Sequence, residues 1–494
     1  MRLLSLVLCN VHAETTSVSH IEHQWIIDKH GRQRLFRGIN VVYKAFPFHP
    51  ILDKWDPQFS FTREDVDFIA DLNLNIIRLG VMWGGVEPWR GSYNQTYIDV
   101  LKQIVARCQE KGIYVLLDMH QDVLSERFCG EGVPMWAFHT NKIEQEHGFP
   151  FPLENPWPLN QSDDIPTKLQ CDTHEWFSYQ LTAAASRGYQ NLYDDEDGLA
   201  TSMARFWAKV ASEFKDYDNV VGYDLINEPW AGDVFKNPLL LSPGVADRKN
   251  LQPFYEIIHE HIRQVDTDRL IFFESVTWDN FVVGFTQPPG GKEYRNRSVL
   301  SYHHYDKKPN MLGIERTFTE RLLDAKRLST GLMMTEFDIA FGDGKRAAWL
   351  ENAFRLADKH FQSWIGWEYK RFVPITGFGD FMFDPQTGEL VKGFVPLLSR
   401  PFAQAIAGRA LSMSFDPETK QFDLEYELIQ SSRTSVTEIR FLKRVQYPNG
   451  FQVKVKPSKG ITWEVSPHND GLVLVRADPR APLGERVHVS IIEN

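Results

Sequence analysis

Eight short apolar runs alternate with amphipathic helical patterns between about residue 20 and residue 395. Most of these runs are continuously apolar rather than alternating with period two, as is typical of parallel strands covered on both faces. They lie at residues 35–42, 75–81, 113–119, 220–226, 270–275, 299–303, 332–335 and 364–369. Eight strand–helix units in one domain predict a (β/α)₈ barrel, in which functional residues lie at the carboxyl ends of the strands and in the loops that follow.

Helix signals between the runs support this interpretation. Thr62-Arg63-Glu64-Asp65 has the pattern of a capping box and predicts a helix that begins there. A second helical pattern covers residues 97–111 and ends at Gly112, as is common for glycine just past a helix.

Two parts of the chain depart from this alternation. Residues 121–195 are rich in glycine, proline and aromatic residues but show little periodicity, which predicts a lid or binding loop. After about residue 400, short alternating runs predict a small antiparallel β-sandwich; they lie at 421–429, 437–442, 452–455, 471–476 and 487–491. We therefore predict a signal peptide at residues 1–13, a barrel at 14–398 and a sandwich domain at 399–494.

The amino terminus has the features of a secretory signal. Residues 1–13 combine the basic Arg2 with a short apolar stretch at 3–8 and with Val11 and Ala13, which suit signal-peptidase cleavage. The stretch is far shorter than the roughly 18 apolar residues that span a bilayer. We expect a protein that is secreted or delivered to a lysosomal or digestive lumen. A frayed apolar terminus of a cytosolic protein is the alternative.

Three N-glycosylation sequons agree with secretion, although such sequons also occur by chance. They begin at Asn94, Asn160 and Asn296.

The four cysteines are expected to be in different chemical states. Cys9 would leave with the signal, so three remain, and an odd count requires a free thiol or a bond to another chain. Cys108 shares one face of its helical pattern with apolar residues, which predicts a buried, inert thiol. Cys129 and Cys171 lie in loop-like sequence and form the predicted disulfide.

Charge narrows the classes of partner. The 494 residues include 65 acidic and 54 basic side chains, for a net charge of −11. This balance repels phosphate backbones, and no run of lysine and arginine forms a local basic surface, so nucleic acid is excluded as a partner. A hydrophobic fraction of 43% and a charged fraction of 24% are typical of soluble globular proteins with ample cores.

Two glutamates carry the strongest chemical signal. Glu228 directly follows the fourth apolar run, and Glu336 ends the seventh. In a barrel, both would face the same mouth. Hydrolysis of a glycosidic bond needs one carboxylic acid to protonate the leaving oxygen and one carboxylate to attack or to activate water. A single glutamate at a strand end is usually just solvated, but two at such positions favour this chemistry.

Asn227-Glu228-Pro229 behind one strand, with Glu336 at a later one, resembles the clan A glycoside hydrolases and specifically family 5. The resemblance continues along the whole barrel. Family 5 enzymes place active-site residues at the corresponding strand ends, which here hold Arg78, His120, His303, Tyr305 and Trp367. The Asn-Glu-Pro motif alone is weak evidence for the family, whereas several such residues in the right order at strand ends are strong evidence.

The resemblance implies a retaining β-glycosidase without a cofactor, with Glu228 as the general acid/base and Glu336 as the nucleophile. Arg78 would keep Glu336 ionised, and Tyr305 would donate a hydrogen bond to it. Asn227 is suited to bind the sugar 2-hydroxyl. Trp367 would form the floor of a subsite on which a sugar stacks.

The histidines invite a metal-site alternative. Adjacent strand residues point to opposite faces, so His303 and His304 are poorly placed to bind one ion. The first strand does not end in His-x-His, and no helical pattern carries His-x-x-x-His. We therefore predict hydrogen-bonding roles for His120 and His303 and no metal.

Finer features resemble the endoglycoceramidases within family 5. They are residues 28–32, the run from Arg37 to Lys44, His120-Gln121-Asp122 and residues 132–137. Those enzymes also carry a C-terminal β-sandwich and cleave between the intact oligosaccharide and the ceramide of glycosphingolipids. The alternatives are a glucosylceramidase or sterylglucosidase, a β-glucanase, or an inactive barrel that binds glycans or glycolipids. The presence of both glutamates argues against the last.

A glycosphingolipid needs an apolar trough beside a polar sugar cleft. The 121–195 segment supplies aromatic residues for such a trough, which can equally form a core of their own: Phe138, Phe149, Phe151, Trp157, Trp176 and Phe177. Lys44 and Asp122 are expected to bind sugar, with a solvated surface lysine as the alternative for Lys44. We expect a monomer that makes transient contact with a membrane or micelle.

Overall fold

The computed structural model describes residues 15–138, 152–154, 165–277, 281–306, 310–339, 344–372, 381–391 and 393–494. Within them the strands are β1 (Val18–Glu22), β2 (Trp25–Asp28), β3 (Gln33–Arg34), β4 (Arg37–Val41), β5 (Ile76–Gly80), β6 (Tyr114–Asp118), β7 (Val220–Asp224), β8 (Leu270–Glu274), β9 (Ser298–His304), β10 (Gly331–Phe337), β11 (Ser363–Gly366), β12 (Phe402–Ile406), β13 (Arg409–Asp416), β14 (Gln421–Glu427), β15 (Thr437–Arg440), β16 (Phe451–Lys456), β17 (Ile461–Ser466), β18 (Asn469–Ala477) and β19 (Arg486–Glu493).

The α-helices of the same residues are α1 (Arg63–Asp71), α2 (Trp83–Val86), α3 (Gln95–Glu110), α4 (Lys168–Cys171), α5 (Ala183–Tyr193), α6 (Leu199–Phe214), α7 (Gln252–Arg263), α8 (Met311–Leu328), α9 (Gly344–Lys359), α10 (Phe394–Leu398) and α11 (Lys443–Gln446). No helix of the described residues is both long enough and apolar enough to cross a membrane.

Strands β4 to β11 close into a parallel barrel in the order β10-β11-β4-β5-β6-β7-β8-β9. Each of them lies on one of the eight apolar runs, so the predicted (β/α)₈ fold is confirmed. The strands are buried along almost their whole length because helices cover the outside and side chains fill the inside. Ile76, Leu116, Val221, Phe272 and Met333 belong to one buried apolar cluster contributed by alternate positions of five strands.

Local signals place the first helices as expected. Thr62 is the N-cap of α1, and Asp65 accepts a hydrogen bond of 2.7 Å from the backbone N–H of Thr62, which completes the capping box. Asn94 caps α3 by accepting from the backbone N–H of Tyr97 at 3.2 Å. Cys108 lies on the buried face of α3 as a free thiol, as predicted.

The carboxyl-terminal region forms two antiparallel sheets, which confirms the predicted sandwich. One sheet has the order β13-β14-β19-β16 and the other the order β1-β2-β3-β12-β15-β18-β17. Apolar side chains from both sheets meet in one buried cluster, which includes Phe402, Phe422, Ile439, Val473 and Val489. The alternating pattern predicted five of these eleven strands and missed β1 to β3, β12, β13 and β17.

The second of these sheets joins the two ends of the described chain. Strands β1 to β3 precede the barrel, yet β3 pairs with β12, where Arg34 lies opposite Ala405. Arg32 reinforces the junction with a 2.8 Å ion pair to Asp28 and a 2.5 Å ion pair to Glu438. The barrel is therefore preceded by strands that belong to the sandwich sheet.

The segment after β6 is more regular than its sequence pattern indicates. A disulfide joins Cys129 to Cys171, as predicted. The predicted loop segment also contains a helix near its end, α5. A side chain at Gly188 would clash with Leu124 and contact Phe128. The buried face of α5 combines small residues such as Ala184 and Gly188 with the larger Tyr189, Leu192 and Tyr193.

Several predictions for this segment and for the amino terminus fall outside the described residues. They are the signal peptide with Cys9, the sequon at Asn160, and the aromatic residues Phe149, Phe151 and Trp157. Among the described aromatic residues of the segment, Phe138 is buried, Trp176 is half-buried and Phe177 is exposed.

Candidate active site

The carboxyl ends of the barrel strands bring the predicted site residues together. Arg78 lies within β5, His303 within β9 and Glu336 within β10. The remaining residues follow directly or closely on the ends of β4, β6, β7, β9 and β11: Lys44, His120, Asp122, Asn227, Glu228, Tyr305 and Trp367. The parallel register of the barrel therefore collects side chains that are up to about 320 residues apart in sequence.

The two glutamate carboxyl groups lie close to each other. One oxygen of Glu228, one oxygen of Glu336 and a ring nitrogen of His303 all lie within 4.8 Å of one another. Carboxyl pairs about 5–5.5 Å apart act by double displacement with retention, whereas pairs about 6.5–9.5 Å apart hold a water between them and invert. The separation here matches the retaining arrangement.

Glu336 accepts hydrogen bonds from a cation and from a phenol. Arg78 donates to Oε2 at 3.2 Å, and Tyr305 donates to Oε1 at 2.5 Å. Both donors stabilise the ionised carboxylate. Glu336 is therefore suited to act as an anion.

Arg78 is itself fixed by two further carboxylates. It is fully buried and donates to Asp118 and to Asp224, both at 2.9 Å. Burial alone would lower the pKa of Arg78, but Asp118 and Asp224 raise it above its ordinary value, so the guanidinium keeps its charge. Arg78 also donates to the side-chain oxygen of Asn227 at 3.0 Å, which fixes the orientation of that amide.

Glu228 occupies a contrasting environment. Burial, and then the charge of Asp122, raises the pKa of Glu228 to about 7. Its Oε1 lies 2.9 Å from Nδ1 of His303, and burial lowers the pKa of that imidazole to about 4. His303 is therefore neutral at physiological pH. The two glutamates thus present one carboxyl group that holds its proton to near neutrality and one that accepts hydrogen bonds from a guanidinium and a phenol.

A second polar cluster lines the same mouth. Lys44 is buried rather than solvated, and its ammonium group pairs with Asp122 and lies 3.5 Å from Glu131. The ammonium also lies 4.6 Å from the ring centroid of Trp367. His120 stacks on that ring at 5.3 Å and contacts Asp118 at 2.8 Å.

These contacts fix the side chains of the second cluster. Burial raises the pKa of the Asp122 carboxyl, but Lys44 and His120 outweigh it and hold that pKa well below its usual range. His120 covers one face of Trp367, and the residue is only 3% exposed, so little of that ring is open to a sugar.

The sequence pattern missed several acidic residues of the site. Asp118 and Asp224 end β6 and β7 and hold Arg78, while Glu274 ends β8 and accepts a 2.9 Å hydrogen bond from the backbone N–H of Glu228. All three follow buried strands, which is the signal that singled out Glu228 and Glu336. Glu228 and Glu336 could be distinguished from these three residues only because they lie in motifs that resemble family 5.

The contacts of the histidines are hydrogen bonds within the protein. His303 contacts Glu228, whereas His304 points the other way, to Asp306 at 3.1 Å and to Thr317 at 3.0 Å. Among the described residues, only Glu228, His303 and Glu336 are grouped closely enough to hold a metal ion. Arg78 already supplies the positive charge at Glu336, so these residues form a poor cation site.

The family model for cellulase (glycosyl hydrolase family 5) matches residues 27–372. The model for the glycoside hydrolase family 5 C-terminal domain matches residues 400–491. The chain is 43% identical to an endoglycoceramidase from Cyanea nozakii, over 90% of this chain and 88% of the relative. It is 44% identical to an endoglycoceramidase from Hydra vulgaris, over 89% of this chain and 83% of that relative. Among solved structures, endo-glycoceramidase II from Rhodococcus sp. in its ganglioside GM3 complex has a TM-score of 0.74 at 22% identity, covering 95% of this chain and 99% of that chain.

Proposed function

Because the chain belongs to glycoside hydrolase family 5, we propose that it is a retaining endoglycoceramidase, which hydrolyses the bond between the intact oligosaccharide and the ceramide of glycosphingolipids. The observation that carries the chemistry is the close carboxyl pair in unlike environments. The similarity to endoglycoceramidases over about nine tenths of the chain supports the substrate class.

The geometry supports a double displacement. Glu336 attacks the anomeric carbon on the face opposite the ceramide oxygen, while Glu228 donates its proton to that oxygen, so ceramide leaves as a neutral alcohol. A glycosyl ester with Glu336 remains. Glu228, now ionised, takes a proton from the water that attacks the anomeric carbon, which frees Glu336 and restores the acid.

The remaining predicted residues are proposed to bind the sugar. The side-chain oxygen of Asn227 accepts from Arg78, and its NH₂ group donates to the carbonyl of Gln121 at 3.1 Å. One N–H of that amide is left to reach a 2-hydroxyl. Lys44, Asp122 and His120 offer further donors and acceptors around Trp367.

A comparison of substrates tests the function. The protein is incubated with a ganglioside, lactosylceramide, glucosylceramide and cellotetraose, with and without detergent. We expect an intact oligosaccharide and ceramide from the ganglioside. Release of glucose from glucosylceramide alone would support a glucosylceramidase instead, and cello-oligosaccharides would support a glucanase. No cleavage of any substrate would leave only a binding function.

The pH dependence follows from the acid. Since the pKa of Glu228 is about 7, kcat/KM on a ganglioside should fall as the pH rises through about 7, because Glu228 then lacks the proton that it must donate. Asp122→Asn removes a negative charge that holds this proton, so the alkaline limb should move to lower pH. Rates measured across the pH range check both results. A limb that stays in place in Asp122→Asn would contradict the electrostatic cause.

Exposed apolar side chains on the active face favour contact with a lipid surface. Large apolar residues protrude from the loops that follow five of the barrel strands: Phe46, Trp89, Leu239, Phe281 and Leu312. Phe46 is 83% exposed and Leu312 is 77% exposed. The ring of Phe281 lies 5.1 Å from the guanidinium carbon of Arg316, one turn of α8 beyond Leu312, so both apolar residues lie near the start of α8. This face is proposed to dock onto the membrane or micelle that holds the substrate.

Removal of these two apolar residues should separate surface binding from chemistry. Burial of a leucine or phenylalanine contributes about 1.5–3 kcal/mol, so Phe281→Ser with Leu312→Ser should lower activity on ganglioside vesicles by at least about tenfold. Hydrolysis of a soluble aryl β-lactoside should be unchanged. Leu323→Ser is the matched control, because this exposed residue lies on α8 about 16 Å further from the mouth. An equal loss on both substrates would contradict surface docking.

We also propose that the protein is secreted as a glycosylated monomer. Asn296 is exposed, and Asn94 uses its side-chain oxygen for the α3 cap, which leaves its NH₂ group for a glycan. A mass decrease of the secreted protein after N-glycanase treatment would support modification. Light scattering measures the oligomeric state, and retention of the protein inside the cell would contradict secretion.

A further inference from the structure

The backbone of Glu228 has a conformation that glutamate rarely adopts. Its φ is +41°, in the left-handed region that a side chain disfavours. Such a conformation persists only where surrounding contacts hold it. Because φ sets the direction in which the side chain leaves the backbone, the same contacts aim the Glu228 carboxyl group.

Two side chains hold the peptide groups on either side of Glu228. Glu274 accepts a 2.9 Å hydrogen bond from the N–H of Glu228 through Oε2. Gln121 donates to the carbonyl of Asn227 at 2.6 Å and to that of Glu228 at 3.3 Å. Glu274 ends β8 and is itself fixed from behind, where the Tyr255 hydroxyl donates to its backbone carbonyl at 2.7 Å. The N–H of Glu228 thus depends on one buried carboxyl group.

Electrostatics favour the protonated form of this carboxyl group. Burial, followed by the negative charges of Glu228 and Asp224, raises the pKa of Glu274 well above its usual range, and Arg78 offsets this only in part. The other oxygen, Oε1, lies 3.6 Å from Nδ1 of His303, which is too far for a hydrogen bond. A cavity of about 20 Å³ lined by Glu274, Tyr302, His303 and Arg321 has room for about one water molecule, which can accept the Glu274 proton.

We propose that Glu274 is a positioning residue for the acid/base: its uncharged carboxyl group holds the backbone of Glu228 in the left-handed conformation and so aims the Glu228 proton at the leaving oxygen. This inference rests on the proposed retaining hydrolysis. Glu274 accepts one N–H through a neutral oxygen, which a glutamine side chain can also do. It neither touches the substrate nor carries the transferred proton.

The test compares Glu274→Gln and Glu274→Ala on two aryl β-lactosides. Methylumbelliferone is a poor leaving group that needs the acid, whereas dinitrophenol leaves without protonation. In Glu274→Ala, kcat/KM on the umbelliferyl substrate should fall by about 10²-fold, and on the dinitrophenyl substrate by less than about fivefold. Glu274→Gln should retain both rates within about threefold, with its alkaline limb at the wild-type pH.

Each other outcome overturns the proposal. Equal losses on both substrates would indicate general damage to the site, and full activity of Glu274→Ala would show that no carboxyl is needed. If Glu274→Ala does not fold, Glu274→Gln still decides: a large loss, or an alkaline limb moved to lower pH, would mean that Glu274 acts through its charge. Wild-type protein that cleaves neither lactoside would instead refute the proposed function.

Discussion

Glu336→Ala is expected to lower kcat on a ganglioside by at least about 10⁴-fold, because it removes the carboxylate that forms the glycosyl intermediate. The fold should survive. Arg78, which loses Glu336 as a partner, keeps its 2.9 Å ion pairs with Asp118 and Asp224. We therefore expect a melting temperature close to that of the wild type together with a near-complete loss of turnover.

Azide gives this prediction a stereochemical readout. In Glu336→Ala the azide ion can enter the space of the lost carboxylate and attack a dinitrophenyl β-lactoside from that side. The product should be the α-lactosyl azide, identified by NMR. Glu315→Ala, which removes an exposed glutamate from α8, is the control and should behave like the wild type. Ganglioside cleavage that persists in Glu336→Ala would refute the assignment of the nucleophile.

Glu228→Ala is expected to act selectively on substrates that need an acid. General acid catalysis contributes about 10²–10⁴-fold, so ganglioside hydrolysis should fall by that factor. The first step on a dinitrophenyl lactoside should be nearly unchanged, because dinitrophenolate leaves without a proton. The glycosyl ester should then accumulate, since the water that must cleave it lacks its base.

Azide again distinguishes the two glutamates. In Glu228→Ala it should attack the accumulated ester and give the β-lactosyl azide, the anomer opposite to that from Glu336→Ala. Mass spectrometry of the trapped protein should find a lactosyl group on the peptide that contains Glu336. The α anomer from Glu228→Ala, or a loss that is equal for both leaving groups, would contradict the assigned roles.

The barrel and its central residues could be predicted because the relevant signals are local. Each barrel strand is a continuous apolar run, and a polar residue behind such a run must lie at the mouth whatever the rest of the chain does. Glu228 and Glu336 were found in this way. Glu274 carries the same local signal, but its role depends on the φ of Glu228, which no sequence pattern reveals.

The unpredicted parts depend on partners that are distant in sequence. Strand β3 has only two residues, which pair with β2 on one side and with β12, about 370 residues further along, on the other. The helix α5 packs against Leu124 and Phe128 in the loop after β6, and its close contact at Gly188 depends on where that loop lies. Lys44 resembles a surface lysine until Asp122 and Glu131 come into reach.

The sheet shared by the first and last parts of the chain has a consequence for biogenesis. Strands β1 to β3 pair with one another, but the outer partner of β3 is β12, which is synthesised only after the whole barrel. Pairings this distant are slow to form, and unpaired strand edges invite aggregation. One edge of β3 must therefore stay unpaired while the barrel is synthesised, and a protein shortened before β12 would be released with that edge permanently open.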